Sequence, residues 1–162
     1  MATSTRAAHV ALRPVADDDR EFLVGLYGST RAEELSQVTW APGQREWFVR
    51  MQFDAQDASY RAQNPDGAFD VIEVDGRRAG RLYVDRRPDE IRIVDISLLP
   101  EHRGAGTGSR LIAALQEEAA ASGRVLSIHV ELHNPAAELY TRLGFVVVSE
   151  RGVYRRMEWR AP

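Results

Sequence analysis

The chain contains no cysteine. Disulfides, thiolate nucleophiles and cysteine-held metals are excluded with it, and no metal is expected. Long apolar runs are also missing, so nothing approaches the length that spans a bilayer. Met1 to Ala8 are small and polar, without the apolar centre of a secretory signal. Nor is there an excess of one charge. A net charge of −3 gives no reason to expect nucleic acid or a charged membrane as partner. These absences lead to the expectation of a soluble, cytoplasmic protein. What is present is ordinary for one: 44% apolar and 28% charged residues in a chain of 162, enough for one domain with one core. No repeat or linker divides it, and residues 9–160 read as a single unit.

The apolar pattern changes period along the chain. His9 to Val15 reads as a short strand. Asp17-Asp18-Asp19 can cap a helix that carries Phe22, Leu23, Leu26 and Tyr27 at helical spacing. A longer helix is expected from about Gly43 to Arg61. Trp47, Phe48 and Met51 form one apolar stripe of it, expected to face the core. Val49, Phe53 and Tyr60 form a second stripe, to be covered by loops or else left for an acceptor molecule or a homodimer contact. A strand meander follows: Ala68 to Val74, the Asp75-Gly76 turn, Arg78 to Val84, and Ile91 to Leu98. A helix from Ser109 to Ser122, closed by Gly123, then leads to a strand from Val125 to His133. That is a βαβ unit with its two strands parallel. Asn134 and Pro135 open a short helix that Gly144 ends, and a hairpin through Arg151-Gly152 closes the chain.

The most informative segment lies between strand and helix: Arg103-Gly104-Ala105-Gly106-Thr107-Gly108-Ser109. Alternate glycines let backbone come close to a ligand. The first turn of the helix presents N–H groups without internal partners, at the positive end of its dipole. With Arg103 this makes an anion site suited to a pyrophosphate. It is not a dinucleotide fingerprint, whose sixth position is glycine where Ser109 stands here. It is not a Walker loop either, since it holds no lysine.

Arg103 to Gly108 resembles the R/Q-x-x-G-x-G/A signature of the GNAT superfamily of N-acetyltransferases. Asn134 to Phe145, with Leu139-Tyr140 and Leu143-Gly144-Phe145, is similar to that family's second motif, about 30 residues on and in the family's order. The resemblance is sharp over residues 91–145. It implies one α/β domain: a mixed, mostly antiparallel sheet with flanking helices, in which the parallel pair splays apart at the cofactor site. It implies acetyl-CoA as co-substrate, with pyrophosphate on Arg103, Gly104, Ala105, Gly106, Thr107, Gly108 and Ser109. The pantetheine arm would lie against the backbone of Ile96, Ser97 and Leu98, with Asn134 as a further contact.

Acyl transfer to an amine needs a neutral nucleophile and a proton for the departing thiolate. By resemblance Tyr140 lies near the sulfur, and a phenol is protonated at neutral pH. For the base the strand 125–133 offers His129 and Glu131 on its polar face. Asp95 and a water relay are further candidates. The expected activity is acetyl transfer to a primary amine, of a small molecule or of a protein or peptide. The alternative is a sensor that holds acyl-CoA without turnover.

Overall fold

A computed structural model describes residues 6–162 of the chain; the polar stretch Met1 to Thr5, part of the reading against a signal segment, lies outside them. Seven strands form one sheet in the order β1-β2-β3-β4-β5-β7-β6. They are β1 (Val10–Pro14), β2 (Ala68–Val74), β3 (Arg77–Arg86), β4 (Glu90–Leu98), β5 (Val125–Glu131), β6 (Val146–Arg151) and β7 (Tyr154–Trp159). Every neighbouring pair is antiparallel except β4 with β5. The helices are α1 (Arg20–Thr30), α2 (Ala32–Ser36), α3 (Gln44–Gln63), α4 (Thr107–Ser122) and α5 (Ala136–Arg142). The single α/β domain and the parallel βαβ unit expected from the sequence are both present.

Strand alternation sorts the side chains onto two faces. One face carries Leu82, Val84, Ile91, Ile93, Leu126, Ile128 and Val130, and it meets Ile112, Leu115 and Ala119 of α4 and Tyr140 of α5 in the main core. The other face lies under α1 and α3, which form a second apolar cluster with α2. α4 docks because Ile112, Leu115 and Ala119 recur three and four residues apart on one side.

The long helix α3 sits in the opposite rotation from the one the sequence suggested. Val49 and Phe53 are buried, at 8% and 4% exposure, while Trp47 and Met51 stand at 62% and 41%. Helical phase gave two stripes and no way to rank them. The stripe with the larger side chains was the natural choice for the core. The choice is reversed because α3 covers Tyr27 of α1 and the polar centre of β3. Phe53 packs edge-on against Tyr27, with ring centroids 6.4 Å apart, and Tyr60 packs against Tyr83 at 6.2 Å. Phe48 alone of the expected inner stripe reaches the helical cluster, through Trp40. Val49 and Phe53 are therefore spent within the chain, while Tyr60 stays half-buried at the end of the stripe.

Candidate functional site

The site starts where the parallel pairing stops. β4 and β5 are in register from Glu90↔Val125 to Ile93↔Ile128 and no further. Beyond that point β4 stays paired with β3, out to Gly80↔Leu98, and β5 stays paired with β7, out to Glu131↔Tyr154. A bulge between Tyr83 and Val84, opposite Val94, bends β4 at the point of departure. Two strands bound to different neighbours thus diverge and leave a gap in the sheet.

The gap has a backbone wall. The Leu99 N–H donates to the Ala79 carbonyl at 2.8 Å, which fixes the alternation of the ladder. Backbone groups of Ile96 and Leu98 then point away from β3, into the gap, while those of Ser97 bond to β3. Gly80 permits this closeness: a Cβ there would stand 2.0 Å from the Ser97 carbonyl oxygen. At the end of the wall Arg103 Nε donates to the Leu98 carbonyl at 2.9 Å.

The gap opens onto the glycine loop. Gly104 and Gly106 have φ of 78° and 83°, a region that side chains with a Cβ disfavour. The space above both is open, with nothing within 4 Å of where a Cβ would project. α4 starts at Thr107, two residues earlier than expected, so Gly106 is its cap and Gly108 and Ser109 belong to its first turn. An exposed loop of backbone N–H groups at the positive end of a 16-residue helix has the chemistry to hold an anion. Arg103, Gly104, Ala105, Gly106, Thr107, Gly108 and Ser109 all lie on this one corner, with Thr107 turned inward.

At the other end of the gap stands α5. Its first turn is held by Asn134, whose Oδ1 accepts the Ala136 N–H at 2.9 Å. That leaves the Asn134 amide N–H groups for another partner. Tyr140 is 5% exposed and packs against Phe145. Burial, and then the charge of Asp95, push its hydroxyl well above the usual tyrosine range, so it is protonated at neutral pH. Tyr140 packs on the α4 face of the sheet, whereas Asp95 bonds Ser97 and Arg81 on the α3 face.

The far side of the gap is lined by side chains. Asp95 receives Ser97 Oγ at 2.9 Å on one oxygen and Arg81 on the other. Tyr60 lies close by, its hydroxyl driven upward by burial and then by Asp95. On β5, Glu131 accepts a bond from Arg31 at 3.2 Å, so the end of α1 reaches across to the gap. His129 is the first residue of β5 past the split. Burial, Arg92 and Arg156 lower its pKa, which keeps the imidazole neutral and able to accept a proton. Beside it, Ser127 and Arg156 both donate to Glu90, at 2.7 and 2.9 Å. Sequence reading missed Arg31 and Arg81, and it named Tyr60 only as part of the second stripe of α3. The available signal was β3 itself, an inner strand with charged Arg81 and Asp85 in an otherwise apolar run.

The domain model of the GNAT acetyltransferases matches residues 65–147, just over half of the chain. The chain belongs to the GNAT family. A Bacillus subtilis protein named for alanine N-acetylation of ribosomal protein bS18 is 34% identical over 84 residues, which are 51% of this chain and 56% of that protein. The match therefore spans little more than half of that curated relative. Among solved structures, the PaiA N-acetyltransferase of Thermoplasma acidophilum, in complex with coenzyme A, superposes with a TM-score of 0.70 at 17% identity, covering 94% of this chain and 99% of that one. An acetyltransferase from Thermus thermophilus gives 0.69 at 16% identity, covering 97% and 100%. YncA of Salmonella typhimurium, solved with its cofactor acetyl-CoA, gives 0.56 at 19%, covering 96% and 94%. At such identities the likeness is one of fold, and the fold is that of the GNAT domain. Among the described residues no helix is long and apolar enough to cross a membrane, and no group of three or more His, Asp or Glu side chains could hold a metal ion.

Proposed function

We propose that this GNAT domain transfers the acetyl group of acetyl-CoA to a primary amine by direct attack. The observation that carries the reading is the split of β4 from β5 next to a glycine loop at the start of α4, with Tyr140 on the helix that follows β5. Gly104 and Gly106 leave room for a pyrophosphate, and α4 aims its N–H groups there. Ile96 and Leu98 offer strand-edge groups to the two amides of a pantetheine arm, and the Asn134 side chain can join them. A phenol held protonated by burial suits a proton donor for a departing thiolate.

The other side of the gap receives the amine. His129 and Glu131 stand on β5 beyond the split and can pass its proton to solvent. The Bacillus subtilis relative is named for modification of a protein alanine, which makes a peptide α-amine the first acceptor to try. Chemistry favours it as well. An α-amine titrates near 8, against about 10.4 for a lysine side chain, so a larger share is neutral at pH 7.

The test has two arms. Calorimetry should show acetyl-CoA binding, and thiol release should depend on added amine when acceptors are screened. Binding without amine-dependent release would make the domain a sensor of acyl-CoA. No binding would remove the cofactor assignment.

A further inference from the structure

β3 is buried from Ala79 to Asp85, yet Arg81 sits in the middle of it at 2% exposure. A buried Arg–carboxylate pair stabilises a fold no better than well-packed apolar side chains of similar volume. The surroundings of this one restrict it closely. The rings of Phe53, Tyr60 and Tyr83 enclose the guanidinium, with centroids 5.9, 5.8 and 4.9 Å from its carbon. Nη2 is shared between Gln56 Oε1, at 2.6 Å, and Asp95 Oδ2. Nε and Nη1 are buried without a hydrogen-bond partner. The one nitrogen this arginine uses is thus divided between Gln56 and Asp95, and with Ser97 on its second oxygen the Asp95 carboxylate is held on both sides. Asp95 lies two residues past the last β4–β5 pair, at the lip of the gap, with its side chain 16% exposed.

We infer that Arg81 is a positioning residue that fixes Asp95 at the lip of the gap, and that Asp95 is the first acceptor of the proton from the incoming amine. The inference rests on the acetyltransferase reading above and deepens it. The ammonium R–NH3+ gives one proton to Asp95, directly or through one water. The nitrogen lone pair then forms a bond to the thioester carbonyl carbon. The C–S bond breaks, and the sulfur leaves with its electron pair and takes the Tyr140 proton. A second nitrogen-bound proton returns to the Tyr140 phenolate. The products are the N-acetyl amide, the free thiol of CoA and one proton, which Asp95 releases to solvent.

The groups around Asp95 single it out. Arg81 and Tyr83 face it from β3, Ser97 from its own strand, and Gln56 and Tyr60 from α3, and its charge is felt at Tyr140. Asp57 bonds Tyr83 from α3, and Arg31 and Tyr154 influence Tyr60 from further out. Burial drives the hydroxyls of Tyr60, Tyr83 and Tyr140 upward. Each therefore keeps its proton at neutral pH, and of the two carboxylates Asp95 is the one on β4 beside the split, while Asp57 is on α3 and accepts from Tyr83.

The experiment compares wild type with Asp95→Asn, Arg81→Met and Ser97→Ala. Thiol release is followed from pH 6 to 10 with two acceptors: a peptide starting with alanine, and a simple alkylamine. Acetyl-CoA affinity is measured in parallel by calorimetry. Asp95→Asn should lower kcat about 100-fold at pH 7, a usual effect for a lost general base, with acetyl-CoA affinity unchanged. The loss should shrink as pH rises through the pKa of the amine itself, near 8 for the peptide and about 10.4 for the alkylamine. Arg81→Met should lower kcat about tenfold and move the acid limb of the rate profile to higher pH. Ser97→Ala should do the same more weakly, and it serves if Arg81→Met does not fold. A loss in Asp95→Asn that is uniform across pH, or no loss, overturns the inference and leaves the acetyltransferase reading standing. A wild type with no amine-dependent thiol release overturns both.

Discussion

The two sides of the gap are made of different material. The side toward α4 is backbone: a loop of glycines, a helix start and a strand edge. The side toward α3 is side chains: Arg81 with Asp95, Arg31 with Glu131, and Tyr60. A backbone surface binds whatever carries the same phosphates and amides. A surface of side chains can be redrawn one residue at a time without moving the sheet. Family membership therefore speaks for the first side, while the acceptor has to be sought on the second.

The comparison can be broken most forcefully at α3. If the side-chain surface is anchored through the inner stripe of this helix, Phe53→Ala should destabilise the protein by about 3–5 kcal/mol, measured by urea unfolding. Trp47→Ala, on the exposed stripe, should change stability by about 0.5 kcal/mol or less. Equal losses would mean that α3 is not seated as described.

Tyr140 joins the two sides, and it gives the next effect. Tyr140→Phe keeps the ring and its packing on Phe145 but removes the hydroxyl. With an acceptor in hand, kcat should fall about 100-fold while acetyl-CoA affinity and unfolding midpoint hold. A wild-type kcat, under conditions where chemistry limits the rate, would remove Tyr140 from the mechanism.

Two depressed carboxylates, Asp19 and Glu90, provide a smaller effect, read in stability. Asp19 is fully buried, and the hydrogen bond from Arg13, with further help from the Ala16 N–H and Arg78, holds it at about 2 instead of 3.8. For Glu90, burial acts upward, but bonds from Ser127 and Arg156 outweigh it and hold the group at about 2 instead of 4.5. Both are depressed in the folded state. Their stabilisation is thus complete above the ordinary values and fades as pH falls from about 4.5 through about 2. Thermal unfolding should follow that course, and Asp19→Asn should flatten it while removing about 1–3 kcal/mol at pH 7. A midpoint independent of pH over this window would contradict the assignment.

The mildest test sharpens the backbone side. Gly106→Val forces a branched residue onto a φ of 83° and fills the space above the loop. Acetyl-CoA affinity should drop about tenfold, as expected when bonds to a charged group are lost. Unchanged affinity in a folded variant would take the pyrophosphate off this loop.

The same contrast explains what could be read beforehand. Strand order around the gap followed from period changes, turn residues and one glycine-rich corner, all local in the chain. Tyr140 followed from a motif. By contrast Arg81 meets Gln56 and Asp95 across 25 and 14 residues, and Arg31 meets Glu131 across 100. No local pattern encodes such meetings. The rotation of α3 was lost for the same reason: its period was plain, but the partner that chose between the stripes lies on β3. Glu131 and His129 were placed on the right strand face, while the partner of Glu131 came from a helix whose end, at Arg31, gave no signal.

The ion pairs have one chemical property in common. Every cation in them is an arginine, and no lysine stands anywhere among the 162 residues. A guanidinium stays protonated at any physiological pH and offers no free amine lone pair. Bonds such as Arg13–Asp19 and Arg156–Glu90 are for that reason inert toward an acetyl donor, and the scaffold presents no ε-amine to compete with the acceptor. A protein carrying this chemistry could work at high acetyl-CoA without neutralising its own framework.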